Sequence, residues 1–263
     1  MIDLRTIEGI YFVGIGGIGM SALALYYEQE GFLTGGYDRS ESAITRELAG
    51  KGCFITYKDS LSEVPPLFSE VRFRDRVIVV YTPAIPPENH IISYFRKNRY
   101  RIYKRSELLG EISSSGDTVA IAGTHGKTTV STMAAHLLKQ SHVDCTAFLG
   151  GISKNYGSNL LTGGGRYIVM EADEFDRSFH RLNPLMAVVT SVDADHLDIY
   201  GDHQSMINAY NEFCSKIRKQ GLLFVSHRIR DRIQITEGVS GYTYGPEPEA
   251  DYRYYGIRRS GSS

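Results

Sequence analysis

Apolar residues in this chain come in short continuous runs, separated by longer stretches in which they recur every three or four positions. That alternation predicts a parallel α/β architecture, because consecutive parallel strands need a crossover and a helix is the usual one. Ile10–Val13 reads as a strand and Met20–Glu30 as a helix stopped at Gly31. Phe32–Tyr37 gives a second strand, Ala43–Lys51 a helix and Cys53–Tyr57 a third strand. Arg76–Tyr81 is the next strand, followed by the Pro-broken loop Thr82–Glu88, a helix over His90–Asn98 and a short strand at Arg101–Tyr103.

The pattern then resumes after a polar stretch, Glu111–Asp117, that reads as a connector. Strand Val119–Ala122 leads into helix Lys127–Ser141, with strands expected at Cys145–Leu149, Tyr167–Glu171 and Ala187–Val192. Helix Gln204–Lys219 and strand Leu222–Ser226 complete the set. Beyond them the periodicity fades, and Arg258–Ser263 reads as a frayed end. The expected organisation is a Rossmann-like N-terminal domain with a parallel sheet over residues 1–108. An α/β domain over 109–263 follows it, whose Gly123-Thr-His-Gly-Lys-Thr-Thr129 turn has the Gly-Lys-Thr ending of a P-loop ATP-binding domain, with the junction somewhere in 105–117.

Composition narrows the class without naming a chemistry. Lys and Arg number 29 against 30 Asp and Glu, so no basic surface announces nucleic acid and none is expected as a partner. Ile10–Leu25 is largely apolar, but Asp3 and Glu8 offset Arg5 and glycines interrupt the run, which defeats the secretory pattern. No apolar stretch has the length a membrane-spanning helix needs, so no membrane partner is expected. Cys53, Cys145 and Cys214 are scattered, with no C-x-x-C pair. Buried thiols in a reduced cytoplasmic compartment are the expectation.

Candidate chemistry lies in two glycine turns, each after a strand and before a helix. Gly123-Thr-His-Gly-Lys-Thr-Thr129 has the Gly-Lys-Thr ending of a phosphate loop, although Ile121 stands where the usual first glycine would be. Backbone N–H groups of Gly123, Thr124, His125, Gly126 and Thr129 can cradle phosphate oxygens at the positive end of the helix. Lys127 would reach the terminal phosphates and the Thr128 hydroxyl a Mg²⁺ ion, so ATP is the expected ligand. Gly14-Ile-Gly-Gly-Ile-Gly19, with Asp38 at the end of the next strand, matches the dinucleotide fingerprint. By itself it would favour an NAD-dependent oxidoreductase, but the same turn can hold the pyrophosphate of a UDP-sugar. Two acidic clusters follow later strands, Glu171-Ala-Asp-Glu-Phe-Asp176 and Asp193-Ala-Asp-His-Leu-Asp198. In a parallel sheet both would gather with the phosphate loop at the carboxyl ends of the strands, where a few oxygen ligands suffice for Mg²⁺.

Gly14-Ile-Gly-Gly-Ile-Gly-Met-Ser21, Gly123–Thr129, Glu171-Ala-Asp-Glu174 and Asp195-His-Leu-Asp-Ile-Tyr-Gly201 together resemble the cytoplasmic peptidoglycan amino-acid ligases. Thr82-Pro-Ala-Ile85 with Asn89, and Arg105-Ser-Glu-Leu108, add to the likeness, which runs from about residue 9 to residue 225. The resemblance implies ATP-dependent joining of L-alanine to the lactyl carboxylate of UDP-N-acetylmuramate through an acyl phosphate. It implies Lys127, Glu171 and His196 as catalytic residues, with Thr128, Glu171 and His196 holding Mg²⁺. Gly14, Gly16, Gly17, Gly19, Asp38, Thr82 and Asn159 would bind the UDP-sugar. The stretch Ala209-Tyr-Asn-Glu212 lacks the lysine that members adding later residues carbamylate, as in the alanine-adding branch. A tripeptide-attaching branch of cell-wall recycling and a non-catalytic nucleotide-sugar module are the alternatives. The family's His-Asn-x-x-Asn helix and its C-terminal amino-acid-binding domain have no counterpart in the sequence, so binding without ligation is expected of this chain alone.

Overall fold

Gly9–Val13, the first apolar run, is buried along its whole length, as a strand must be when helices cover both faces of a parallel sheet. The structure is a computed structural model that describes residues 2–194 and 197–257, apart from the side chains of Asp176, Leu197 and Asp198. Asp195, His196 and the expected frayed end at 258–263 lie outside the described residues. The chain opens with β1 (Gly9–Val13), α1 (Ile18–Gln29), β2 (Leu33–Tyr37), α2 (Ala43–Gly50) and β3 (Phe54–Thr56). Next come α3 (Pro66–Ser69), β4 (Val77–Tyr81), α4 (His90–Lys97), β5 (Arg101–Lys104) and α5 (Arg105–Ser115). Then follow β6 (Asp117–Ala122), α6 (Lys127–Gln140), β7 (Cys145–Ser153), β8 (Ser158–Leu161), β9 (Tyr167–Glu171) and β10 (Met186–Val189). The last elements are α7 (Leu197–Tyr200), α8 (His203–Cys214), β11 (Leu222–Ser226), β12 (Ser240–Gly245) and β13 (Tyr252–Arg253).

By packing, the chain forms two units, residues 1–112 with 144–165 and residues 113–143 with 166–263. The stretch 144–165, placed in the second domain from sequence, thus packs with the first unit. There β7 and β8 form an antiparallel hairpin against α1, with the Tyr26 and Phe148 rings 5.3 Å apart.

The first unit carries a five-stranded parallel sheet in the order β3-β2-β1-β4-β5. Strand order reverses at β1, which creates a crevice beyond the carboxyl ends of β1 and β4, the usual ligand position in such sheets. Tyr11, Phe68, Phe95 and Tyr100 fill one side of the core, with the Tyr11 ring 5.3 Å from Phe68 and 5.4 Å from Phe95. Local chemistry starts the helices. Ser42 and Thr45 exchange hydrogen bonds in a capping box ahead of α2. Asn89 Oδ1 accepts the Ile92 N–H at α4, where Asp59 also accepts the N–H groups of His90 and Ile91.

The second unit holds parallel strands in the order β13-β12-β11-β10-β6-β9. Here β6 sits between β10 and β9, so the order reverses beside the strand that feeds the phosphate loop. Of the polar run expected as a connector, residues 111–115 finish α5 and Asp117 opens β6; the helix forms because Leu108 and Ile112 recur one turn apart and are both buried. Ser113 is buried as well, its carbonyl accepting the Thr118 hydroxyl and its own hydroxyl accepting the Asn183 N–H. All three cysteines are free and buried, and burial pushes the Cys214 thiol up to about 12. No helix among the described residues is long and apolar enough to cross a membrane.

Candidate functional site

In the first unit, the turn after β1 is pinned from its neighbouring strand. The Gly14 and Ile15 N–H groups both donate to the Tyr37 carbonyl, at 2.7 and 3.0 Å. The Gly16 N–H donates to Asp38 Oδ2 at 2.8 Å. Asp38 therefore braces the glycine turn, a task the fingerprint does not assign to it. Thr82 packs its methyl group against Gly14. Gly17 caps α1 with no side-chain hydrogen bond, and the first turn of α1 has no acidic residue. An anion is the natural partner of such a terminus.

Gly19 and Asn159 take roles that spacing alone does not reveal. The Arg105 guanidinium lies over Gly19, so that a Cβ at this position would overlap it. The third glycine of the motif thus makes room for a cation beside the helix terminus. Asn159 of β8 is buried, and its Nδ2 donates to the Ile18 carbonyl at 2.6 Å and to Ser21 Oγ at 2.9 Å. It clasps the hairpin to the first turn of α1.

In the second unit, the phosphate loop joins β6 to α6 and is held by the end of β10. The Thr124 N–H donates to the Ser191 carbonyl, the Thr124 and Ser191 hydroxyls are 2.9 Å apart, and the His125 N–H donates to Ser191 Oγ. Thr190 Oγ1 donates to the Ala122 and His125 carbonyls. Gly123 and Gly126 have φ of +132° and +85°, and Gly126 caps α6 without a side-chain bond. Thr128 and Thr129 stand exposed in the first turn of α6.

Lys127 Nζ donates to the Gly123 carbonyl at 2.7 Å and to Glu174 Oε1 at 2.8 Å. The two side chains are only 14% and 1% exposed. Glu171 ends β9 in register with Ile121, two residues before the turn. Among the acids of this cluster the lysine therefore meets Glu174, to which the motif reading gave no role. His196 lies outside the described residues. Thr190 and Ser191 were also missed, and the only sequence signal for them is a Thr-Ser pair directly after an apolar strand. Among the described residues no group of three or more His, Cys, Asp or Glu side chains could hold a metal ion.

These features define a class: two parallel α/β units, each with a glycine turn at its topological switch point. Residues 9–116 match the Mur ligase family catalytic domain, and residues 121–262 match the Mur ligase middle domain. The chain belongs to the Mur ligase family. It is 46% identical to the UDP-N-acetylmuramate–L-alanine ligase of Phocaeicola vulgatus over 98% of its own length and 56% of that protein. Identity to the same enzyme of Parabacteroides distasonis is 47%, over 98% of this chain and 55% of the relative. The chain thus spans about half the length of the curated relatives it matches. Among solved structures, the UDP-N-acetylmuramate–alanine ligase of Thermotoga maritima superimposes with a TM-score of 0.76 at 28% identity, covering 90% of this chain and 52% of that one.

Proposed function

We propose that this chain carries the nucleotide-sugar and ATP sites of a cytoplasmic ligase that joins L-alanine to the lactyl carboxylate of UDP-N-acetylmuramate. The observation that carries the reading is the Gly123–Thr129 turn, which opens α6 at the switch point with Lys127 beside it. Similarity along nearly the whole chain to UDP-N-acetylmuramate–L-alanine ligases supports the choice of substrates.

The chain's residues suit phosphoryl transfer to a carboxylate, which depends on positioning and charge neutralisation. Backbone N–H groups from Gly126 to Thr129 would receive the ATP phosphates, since those of Thr124 and His125 already donate to Ser191, and Lys127 would face the transferred group. Thr128 and Glu171 offer the hard oxygen donors that Mg²⁺ prefers, and His196 is the proposed contact of a second ion. Bound Mg²⁺ would neutralise phosphate charge. Attack of the alanine amine on the acyl phosphate would then form the amide and release inorganic phosphate. Gly14, Gly16, Gly17, Gly19 and Thr82 would surround the UDP-sugar, with Asp38 holding the turn in shape and Asn159 holding α1.

Calorimetric titration of this chain with UDP-N-acetylmuramate, with NADH as control, tests the reading. Saturable binding of the sugar nucleotide alone is expected, and binding of NADH alone would restore an oxidoreductase. Asp38→Ala releases the Gly16 N–H, so the sugar nucleotide should bind about tenfold more weakly, the value of one hydrogen bond to a charged acceptor. Unchanged affinity in that variant would remove Asp38 from the site.

A further inference from the structure

Lys127 carries three N–H donors, and two of them are engaged within the chain, by the Gly123 carbonyl and by Glu174 Oε1. Glu174 is almost wholly buried, and its position is set from a second side by the Tyr200 hydroxyl, which donates to its backbone carbonyl at 2.5 Å. A lysine that swung away to meet a phosphate would break this buried ion pair, a costly step. An ammonium held on the Gly123 carbonyl and Glu174 has one N–H left for a ligand.

We infer that Glu174 is a positioning residue of the phosphate loop: it aims Lys127 at a single phosphate oxygen and cancels its charge. The inference rests on the reading of this turn as a nucleotide phosphate site. Ground-state attraction for phosphate then comes from the loop N–H groups and the α6 terminus, and Lys127 supplies direction. A neutral pair in this place also keeps the loop from binding stray anions tightly.

The test is equilibrium titration of this chain with ADP, with and without Mg²⁺, in wild type, Glu174→Gln, Lys127→Met and the double variant. Glu174→Gln removes a negative charge beside the phosphates, so Mg²⁺-free ADP should bind roughly tenfold more tightly. The gain should shrink with Mg²⁺ present, because the carboxylate also favours the cation. Lys127→Met alone should weaken ADP binding about tenfold or more, while the double variant, with both charges gone, returns to within about threefold of wild type. A merely structural Glu174 would lower affinity in step with melting temperature and would show no dependence on Mg²⁺.

Glu174→Gln that melts like wild type yet binds Mg²⁺-free ADP no more tightly overturns the inference alone. Absence of ADP binding by the folded wild type overturns the nucleotide-site reading and the inference with it. Should Glu174→Gln fail to fold, the double variant decides. Affinity near wild type then supports the neutral pair, and a loss of about tenfold or more overturns it.

Discussion

Gly123→Ala is expected to abolish nucleotide binding and to lower the melting temperature of the chain. Gly123 has φ +132°, a region closed to residues with a Cβ. A Cβ here would overlap Thr190 Oγ1 and lie 2.9 Å from the Ser191 N and 3.0 Å from the Thr190 N. Two of these neighbours are backbone, and they belong to the segment that anchors the loop through Thr124 and His125. A rotamer change at Thr190 clears its hydroxyl but not the two backbone nitrogens, so the loop or the segment after β10 has to move. A cost of about 2–4 kcal/mol follows from the strained dihedral and the clash together. In a domain of this size that corresponds to roughly 5–15 °C in Tm. Thermal melts with ADP titrations check it. A variant with wild-type Tm and affinity would mean that the turn differs from the one described.

Lys127→Ala should have two separable effects. In the full-length ligase proposed above it would remove the cation proposed to face the transferred phosphoryl group, for which a loss of about 10²–10³ in turnover is the usual scale. In the isolated chain it should also destabilise, because Glu174 is left buried without its ammonium. Removing one partner of a buried pair costs about 3–5 kcal/mol, and the partial exposure of Lys127 puts this case near the lower end. Glu174→Gln in the same background should recover most of the stability without recovering turnover. Urea melts of the single and double variants measure the first effect. Stability of Lys127→Ala within about 0.5 kcal/mol of wild type, the scatter of ordinary surface changes, would show that the pair is not coupled in solution.

Periodicity made the strand and helix framework readable. Ile10–Val13, Tyr167–Glu171 and Leu222–Ser226 are continuous apolar runs bounded by turn residues, and each is a parallel strand. The reading failed where the signal is local and mixed. Ser158–Leu161 is a short hairpin strand after a glycine turn, and its pairing with β7 is a tertiary fact. Ser240–Gly245 is bracketed by Gly241 and Gly245, which mask its strand pattern, and the stacking of Tyr242 on Phe224 at 5.5 Å holds it. Ser113–Ser115 lowers the helix propensity of α5, and burial of Leu108 and Ile112 overrides it.

The candidate residues divide along the same line. Gly14–Gly19 and Gly123–Thr129 were readable because a tight turn that exposes backbone N–H groups needs glycine at set spacings within a few residues. By itself, the sequence determined the parallel α/β class, the two glycine turns and the acids after the strands, since each depends on near neighbours in the chain. Only the tertiary structure decided that Glu174 meets Lys127, that Asp38 braces Gly16, and that Asn159 clasps α1. These partners stand 47, 22 and 141 residues apart. Side-chain direction and burial at such separations are set by how strands and helices pack, which no local pattern encodes.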